Sequence, residues 1–183
     1  MDFQTYLDQF EQILNAPHRQ APYDNEDYFN YTKLNWSRMN RWLKKGEILP
    51  QVKEKIQSIT EKQEWIVITE PWCGDASHIV PFIHMMAELN PLIHEDYELR
   101  DSEPFRINDY LTNGGKAIPK LIIRNEKGDD LATWGPRPAE CQLLYKEMHE
   151  NKAPFEEVKI RLQNWYNEHH GVEIQEEISV LFE

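Results

Sequence analysis

The chain has 183 residues, 40% hydrophobic and 11% aromatic, enough to bury one core of ordinary domain size. Its 32 acidic residues outnumber 20 basic ones, a balance of −12 that disfavours nucleic acid, whose phosphates want a basic footprint. No apolar run nears the roughly 20 residues that span a bilayer, the opening Met1-Asp2-Phe3-Gln4 is polar, and two cysteines make no disulfide framework, so a reducing cytoplasmic setting without membrane partners is expected.

Phe3, Tyr6, Leu7, Phe10 and Leu14 repeat at helical spacing over 1–15. A turn-rich stretch with Pro17 and Pro22 leads to a second helix over 26–45, closed by Gly46. Tyr28, Tyr31, Trp36 and Trp42 make that helix dense in aromatics, which read as packing against the domain rather than as a ligand cage. Its cations Arg38, Arg41, Lys44 and Lys45 read as a solvated face. Pro50 then opens a short helix with Val52, Ile56 and Ile59 on one side.

The period changes at Trp65-Ile66-Val67-Ile68-Thr69, a strand expected to be buried on both faces. It runs into Glu70-Pro71-Trp72-Cys73-Gly74-Asp75-Ala76, after which Ile79, Phe82, Ile83 and Met86 mark a helix ending near Asn90-Pro91. Pro81 should kink it, because proline removes a backbone donor and presses on the preceding turn. A second strand is expected in 93–101 and a polar helical segment over 104–112. Leu121–Arg124, a turn at 125–128 and Leu131–Trp134 read as a hairpin. Helices follow over 138–150, with Cys141, Leu144, Tyr145 and Met148 inward, and over 154–168, with Phe155, Val158, Leu162 and Trp165 inward. The tail stays open between an edge strand, from the alternation of Ile178, Val180 and Phe182, and a helix, which Glu176-Glu177 would suit. With no repeat and no flexible linker, 1–49 and 151–183 are expected to be helical extensions packed on a central domain over 50–150.

The order strand, cysteine turn, helix, strand, helix, proline, hairpin, helix over 50–150 resembles the thioredoxin fold, an α/β central sheet flanked by helices. Trp72-Cys73-Gly74 is similar to the start of that family's Trp-Cys-Gly-Pro-Cys signature, Pro81 matches the family's helix proline, and Ile118-Pro119 matches its cis-proline step. The resemblance implies that Cys73 is the reactive thiol, that Trp72 shields the site, and that Gly135-Pro136-Arg137 completes a groove. It also implies that the backbone at Ile118 can pair with an extended substrate segment.

Two features depart from the family. Ala76 stands where the resolving cysteine belongs, with Asp75 in place of the intervening proline, and Val67 stands where the family keeps a buried acid. An internal dithiol cycle is therefore not expected. Cys73 opens a helix, so unpaired N–H groups and the helix dipole would stabilise a thiolate. Asp75 should cap the helix start while repelling that thiolate. His78 reads as an exposed surface histidine, with pairing to the thiolate as the sharper alternative. Arg137 reads as solvent-facing, Cys141 as core, and the His78 and Cys73 spacing as no metal site.

Two functions fit. The first is single-cysteine thiol–disulfide exchange, in which Cys73 acts on a protein or small-molecule disulfide and an external thiol, such as glutathione, resolves the product as co-substrate rather than bound cofactor. The second is a redox-inactive binding module that keeps the groove around Ile118-Pro119.

Overall fold

The computed structural model describes residues 1–182. The unbroken apolar run forms the inner strand β1 (Gln63–Thr69), and Trp65, Ile66, Val67 and Ile68 are all buried. Strand β2 (Ile93–Leu99) pairs parallel with β1 on one side, and β3 (Lys120–Asn125) pairs antiparallel on the other. Strand β4 (Asp130–Trp134) adds antiparallel to β3, so the sheet runs β2-β1-β3-β4. Register sets Val67 opposite Tyr97 on one neighbour and Leu121 on the other. A strand with a neighbour on each side and cover on both faces has no solvent side, which explains why β1 lacks alternation.

Three helices precede the sheet: α1 (Phe3–Asn15), α2 (Glu26–Lys45) and α3 (Pro50–Gln57). Asp2 and Asn25 cap the first two by accepting the N–H groups of Thr5 and Tyr28. Helix α4 (Gly74–Ala87) links β1 to β2, and α5 (Ala139–Glu150), α6 (Phe155–His169) and α7 (Val172–Ser179) close the chain. The apolar face of α4 makes it the hub of the helical layer, packed on β1, β2, α2, α3, α6 and α7. Pro81 lies inside the helix, which runs on to Ala87. Helix α1 covers the outer edge of β2: the Tyr97 N–H donates to the Met1 carbonyl at 2.7 Å, and the Tyr6 ring stacks on Tyr97 at 5.6 Å. A covered edge cannot recruit a foreign strand. Among the described residues no helix is long and apolar enough to cross a membrane.

The structure corrects three local expectations and resolves the tail, which the sequence leaves open. The segment 104–112 holds only a 3-10 turn, Arg106–Asp109, because Phe105 sits at φ 54°, a left-handed conformation that a helix cannot propagate. The tail is helical: Ile174 and Ile178, four apart, are buried, while Val180 is exposed, so the alternation there has no sheet behind it. Gln175 anchors α7 by accepting the Leu49 N–H at 2.8 Å and donating to the Glu47 carbonyl at 3.1 Å. Phe155, expected inward, is 72% exposed at the first turn of α6. Arg38, expected on a solvated face, is buried where α2 meets α6.

Candidate functional site

The site forms where β1 ends. The Glu70-Pro71-Trp72 turn is closed by the Cys73 N–H donating to the Glu70 carbonyl at 3.0 Å, and Cys73 becomes the N-cap residue of α4. Asn35 of α2 pins the turn from above, its amide donating to the Pro71 carbonyl at 3.1 Å. Opposite lies Ile118-Pro119, whose peptide bond is cis. Gly135 packs on it at φ 111°, and a Cβ there would lie 2.3 Å from the Pro119 carbonyl oxygen, so both the conformation and the approach require glycine.

Cys73 is buried, and its thiol donates to the Ile118 carbonyl at 3.5 Å. Burial pushes the thiol up to about 12, with the Asp75 charge adding to the rise. The Ala76 N–H, the Arg137 charge and the Asp75 N–H oppose that rise without reversing it. Desolvation of the buried sulfur thus opposes the lowering expected from the helix start, an effect of at most about 2 kcal/mol. Ala76 is buried beside the cysteine, and Val67 is buried in β1.

Asp75 does not cap α4, which has no side-chain cap at all. Its carboxylate instead pairs with Arg137 at 2.7 Å and accepts the Tyr166 hydroxyl at 2.8 Å. Arg137 is held in turn by the Gln142 carboxamide at 3.1 Å and lies 4.0 Å over the Tyr145 ring. Its side chain is 13% exposed, so the solvent-facing reading is corrected as well. Its carboxylate partner Asp75, held by Tyr166 of α6, lies far outside any local sequence window around Arg137, which explains the difference.

His78 is 2% exposed. The Trp42 indole N–H donates to its Nδ1 at 2.9 Å, and its ring stacks on Tyr166 at 4.5 Å. Burial, reinforced by the Arg38 and Arg41 charges, holds it well below the usual histidine range. It is a neutral core histidine, neither a surface group nor a cation beside the sulfur. Cys141 is likewise buried and unbridged.

Around this floor opens a cleft of about 1350 Å³. Tyr28, Tyr31 and Leu34 of α2 form one wall, Tyr145 of α5 and Phe155, Leu162 and Tyr166 of α6 the other, and Trp72, Cys73 and Ile118 lie between. The Tyr31 hydroxyl stands where a Cβ on Gly74 would go, 2.2 Å from that point. Arg100 lies 4.6 Å over the Trp72 ring. Tyr28 and Tyr31, packing residues by their helical spacing, face the site because α2 crosses the cysteine turn. Glu70 was also missed. It is buried, accepts the Asp101 N–H at 3.1 Å, and burial raises its carboxyl to about 7.

A family described as Thioredoxin matches residues 21–149. That span takes in α2, one wall of the cleft, as well as all four strands. Among solved structures, an HIV epitope-scaffold is 16% identical, with a TM-score of 0.56 over 86% of this chain and 85% of its own. A protein of unknown function from Pseudomonas aeruginosa is 17% identical, with a TM-score of 0.54 over 92% of this chain and 90% of its own. Identities this low speak for the fold alone. No curated protein matches the sequence. A match running through the whole sheet, the cysteine turn and α5 places the chain in the thioredoxin family.

Proposed function

We propose that the protein is a thioredoxin-fold binding module in which Cys73 stays a neutral thiol and the cleft above it takes a ligand. One observation carries this reading: the sulfur is buried against the Ile118 carbonyl and the thiol is pushed up to about 12. Exchange needs a thiolate, and burial disfavours that charged form at neutral pH. Buried Ala76 and Val67 support the same reading, since neither can resolve a mixed disulfide nor move a proton for one. The charge of Asp75 is spent on Arg137 rather than on the sulfur's proton.

The test is the pH dependence of Cys73 alkylation in a Cys141→Ser background. The rate is expected to climb only above the free-cysteine value of about 8.5, and glutathione disulfide is expected to leave the protein's mass unchanged. A thiolate appearing below about pH 7, with a glutathione adduct that Cys73→Ser abolishes, would overturn the proposal. Single-cysteine exchange with an external thiol would then stand. Its support is the pair of N–H groups, from Ala76 and Asp75, that favour the charged sulfur.

A further inference from the structure

Arg38 is, among the described residues, the buried cleft cation that no carboxylate pairs with. It is 5% exposed. Removing a guanidinium from water is costly unless a carboxylate answers it. Among the described residues no carboxylate pairs with Arg38. Its two terminal nitrogens donate to neutral amides instead, one to Asn35 Oδ1 at 2.9 Å and the other to Gln163 Oε1. Its Nε is buried with no partner. Three other cleft cations have a carboxylate, Arg137 with Asp75 at 2.7 Å, Arg100 with Asp101 at 2.7 Å and Lys159 with Glu156 at 2.6 Å, and Lys116 is exposed to water.

Two further observations point the same way. Arg38 lies 5.2 Å and Lys159 5.0 Å from the centroid of the Tyr31 ring, so two cations from two helices approach one aromatic ring of the cleft. The cleft lining also inverts the charge of the protein. It holds five Lys and Arg against three Asp and Glu, whereas the chain holds 20 against 32. A positive hollow in a negative molecule concentrates anions at that hollow and repels them elsewhere.

We infer that the cleft binds a small organic anion, a phosphate or carboxylate on a planar or apolar body, with the anionic group at Arg38 and the body against Tyr31 and Trp72. This rests on the binding-module reading and names its ligand class. The guanidinium is held in place before binding by Asn35, so little side-chain freedom is lost when the anion arrives. Planar guanidinium matches the two oxygens of either group. Gln163, itself a cleft residue, is the neutral partner that the anion replaces or joins. Aromatic rings supply the apolar contact area, as in most small-molecule sites.

The experiment is calorimetric titration of the full chain with phenyl phosphate, benzoate, inorganic phosphate and the neutral analogue benzyl alcohol. Phenyl phosphate or benzoate is expected to bind at least about tenfold more tightly than benzyl alcohol, and their order distinguishes phosphate from carboxylate. Inorganic phosphate binding as well as phenyl phosphate would remove the aromatic body from the assignment and overturn that half of it. Arg38→Gln is expected to bring the anions down to the level of the alcohol, while Arg161→Gln on α6, outside the cleft, leaves them unchanged. Should Arg38→Gln fail to fold, salt dependence of the wild-type affinity decides, with no weakening between low and high salt counting against the inference. Equal binding of anion and alcohol, or anion binding indifferent to Arg38→Gln, overturns the anion assignment and leaves the module reading standing. Cys73 alkylation judges that reading separately, whatever these titrations give.

Discussion

At Glu70 a single carboxyl couples the cysteine turn to pH. Its main chain receives the Cys73 N–H, and its side chain, buried at the end of β1, accepts the Asp101 N–H. Burial raises it from 4.5 to about 7 in the folded protein. A carboxyl with a raised folded value binds its proton more tightly folded than unfolded, so ionising it costs stability. The penalty is absent below the unfolded value, grows as pH rises from 4.5 toward about 7, and is complete above that. At about 1.4 kcal/mol per unit, it reaches about 3 kcal/mol. Glu70→Gln keeps an acceptor for the Asp101 N–H without the charge. Chemical denaturation is expected to find the variant more stable than wild type by up to about 3 kcal/mol at pH 8 and equal to it near pH 4. Parallel stability curves across that range would contradict the assignment.

The elements of the sheet were legible because their signals are local. The β-branched run at 65–69, the hairpin turn at 125–128 and the cysteine between strand and helix each carry their own reading. What the sequence left dark lies where one helix meets another. Arg38 looks solvated on a helical wheel because α6, which buries it, comes more than a hundred residues later. Asp75 and Arg137 are 62 positions apart in numbering, and nothing in either neighbourhood announces their pairing. His78 looks polar on its own helix and becomes core only when Trp42 and Tyr166 close on it. Tyr31 belongs to the same class. Its hydroxyl occupies the space a side chain on Gly74 would need, so the glycine is demanded by α2 rather than by turn geometry. Gly74→Ala must swing that ring aside and is expected to cost about 1–3 kcal/mol. In a Tyr31→Phe background the cost should fall, and a double-mutant cycle measures the coupling. Additive effects would mean that the two residues do not meet.

Across the whole molecule, the helices before and after the sheet behave as parts of one core. Phe82 of α4 shows why. The Trp42 ring of α2 lies 5.3 Å from it, and the turn at Gly171, held at φ 77° between α6 and α7, presses so close that a Cβ would fall 2.3 Å from the ring. His78, one turn earlier, is covered by Trp42 and Tyr166 from the same two sides. Ile174 and Ile178 of α7 add further buried area beside α3 and α4. Each fully buried large side chain contributes about 1.5–3 kcal/mol, whereas net stability is typically about 5–15 kcal/mol. Uncovering three or four such residues is enough to remove the folded state. A fragment limited to 50–150 keeps every strand yet loses α2, α6 and α7, and with them one wall of the cleft and all of the other but the α5 residues. We therefore expect the full chain to melt in one cooperative transition and the fragment to show none, by circular dichroism and by loss of near-ultraviolet signal. A fragment that melts cooperatively within a few degrees of the full chain would mean that the flanking helices are accessories to an independent domain. The cleft would then be a surface added to a finished fold. A fragment that fails to fold makes the binding walls and the folding core the same set of residues, so that α2 and α6 cannot be altered at the site without a cost in stability.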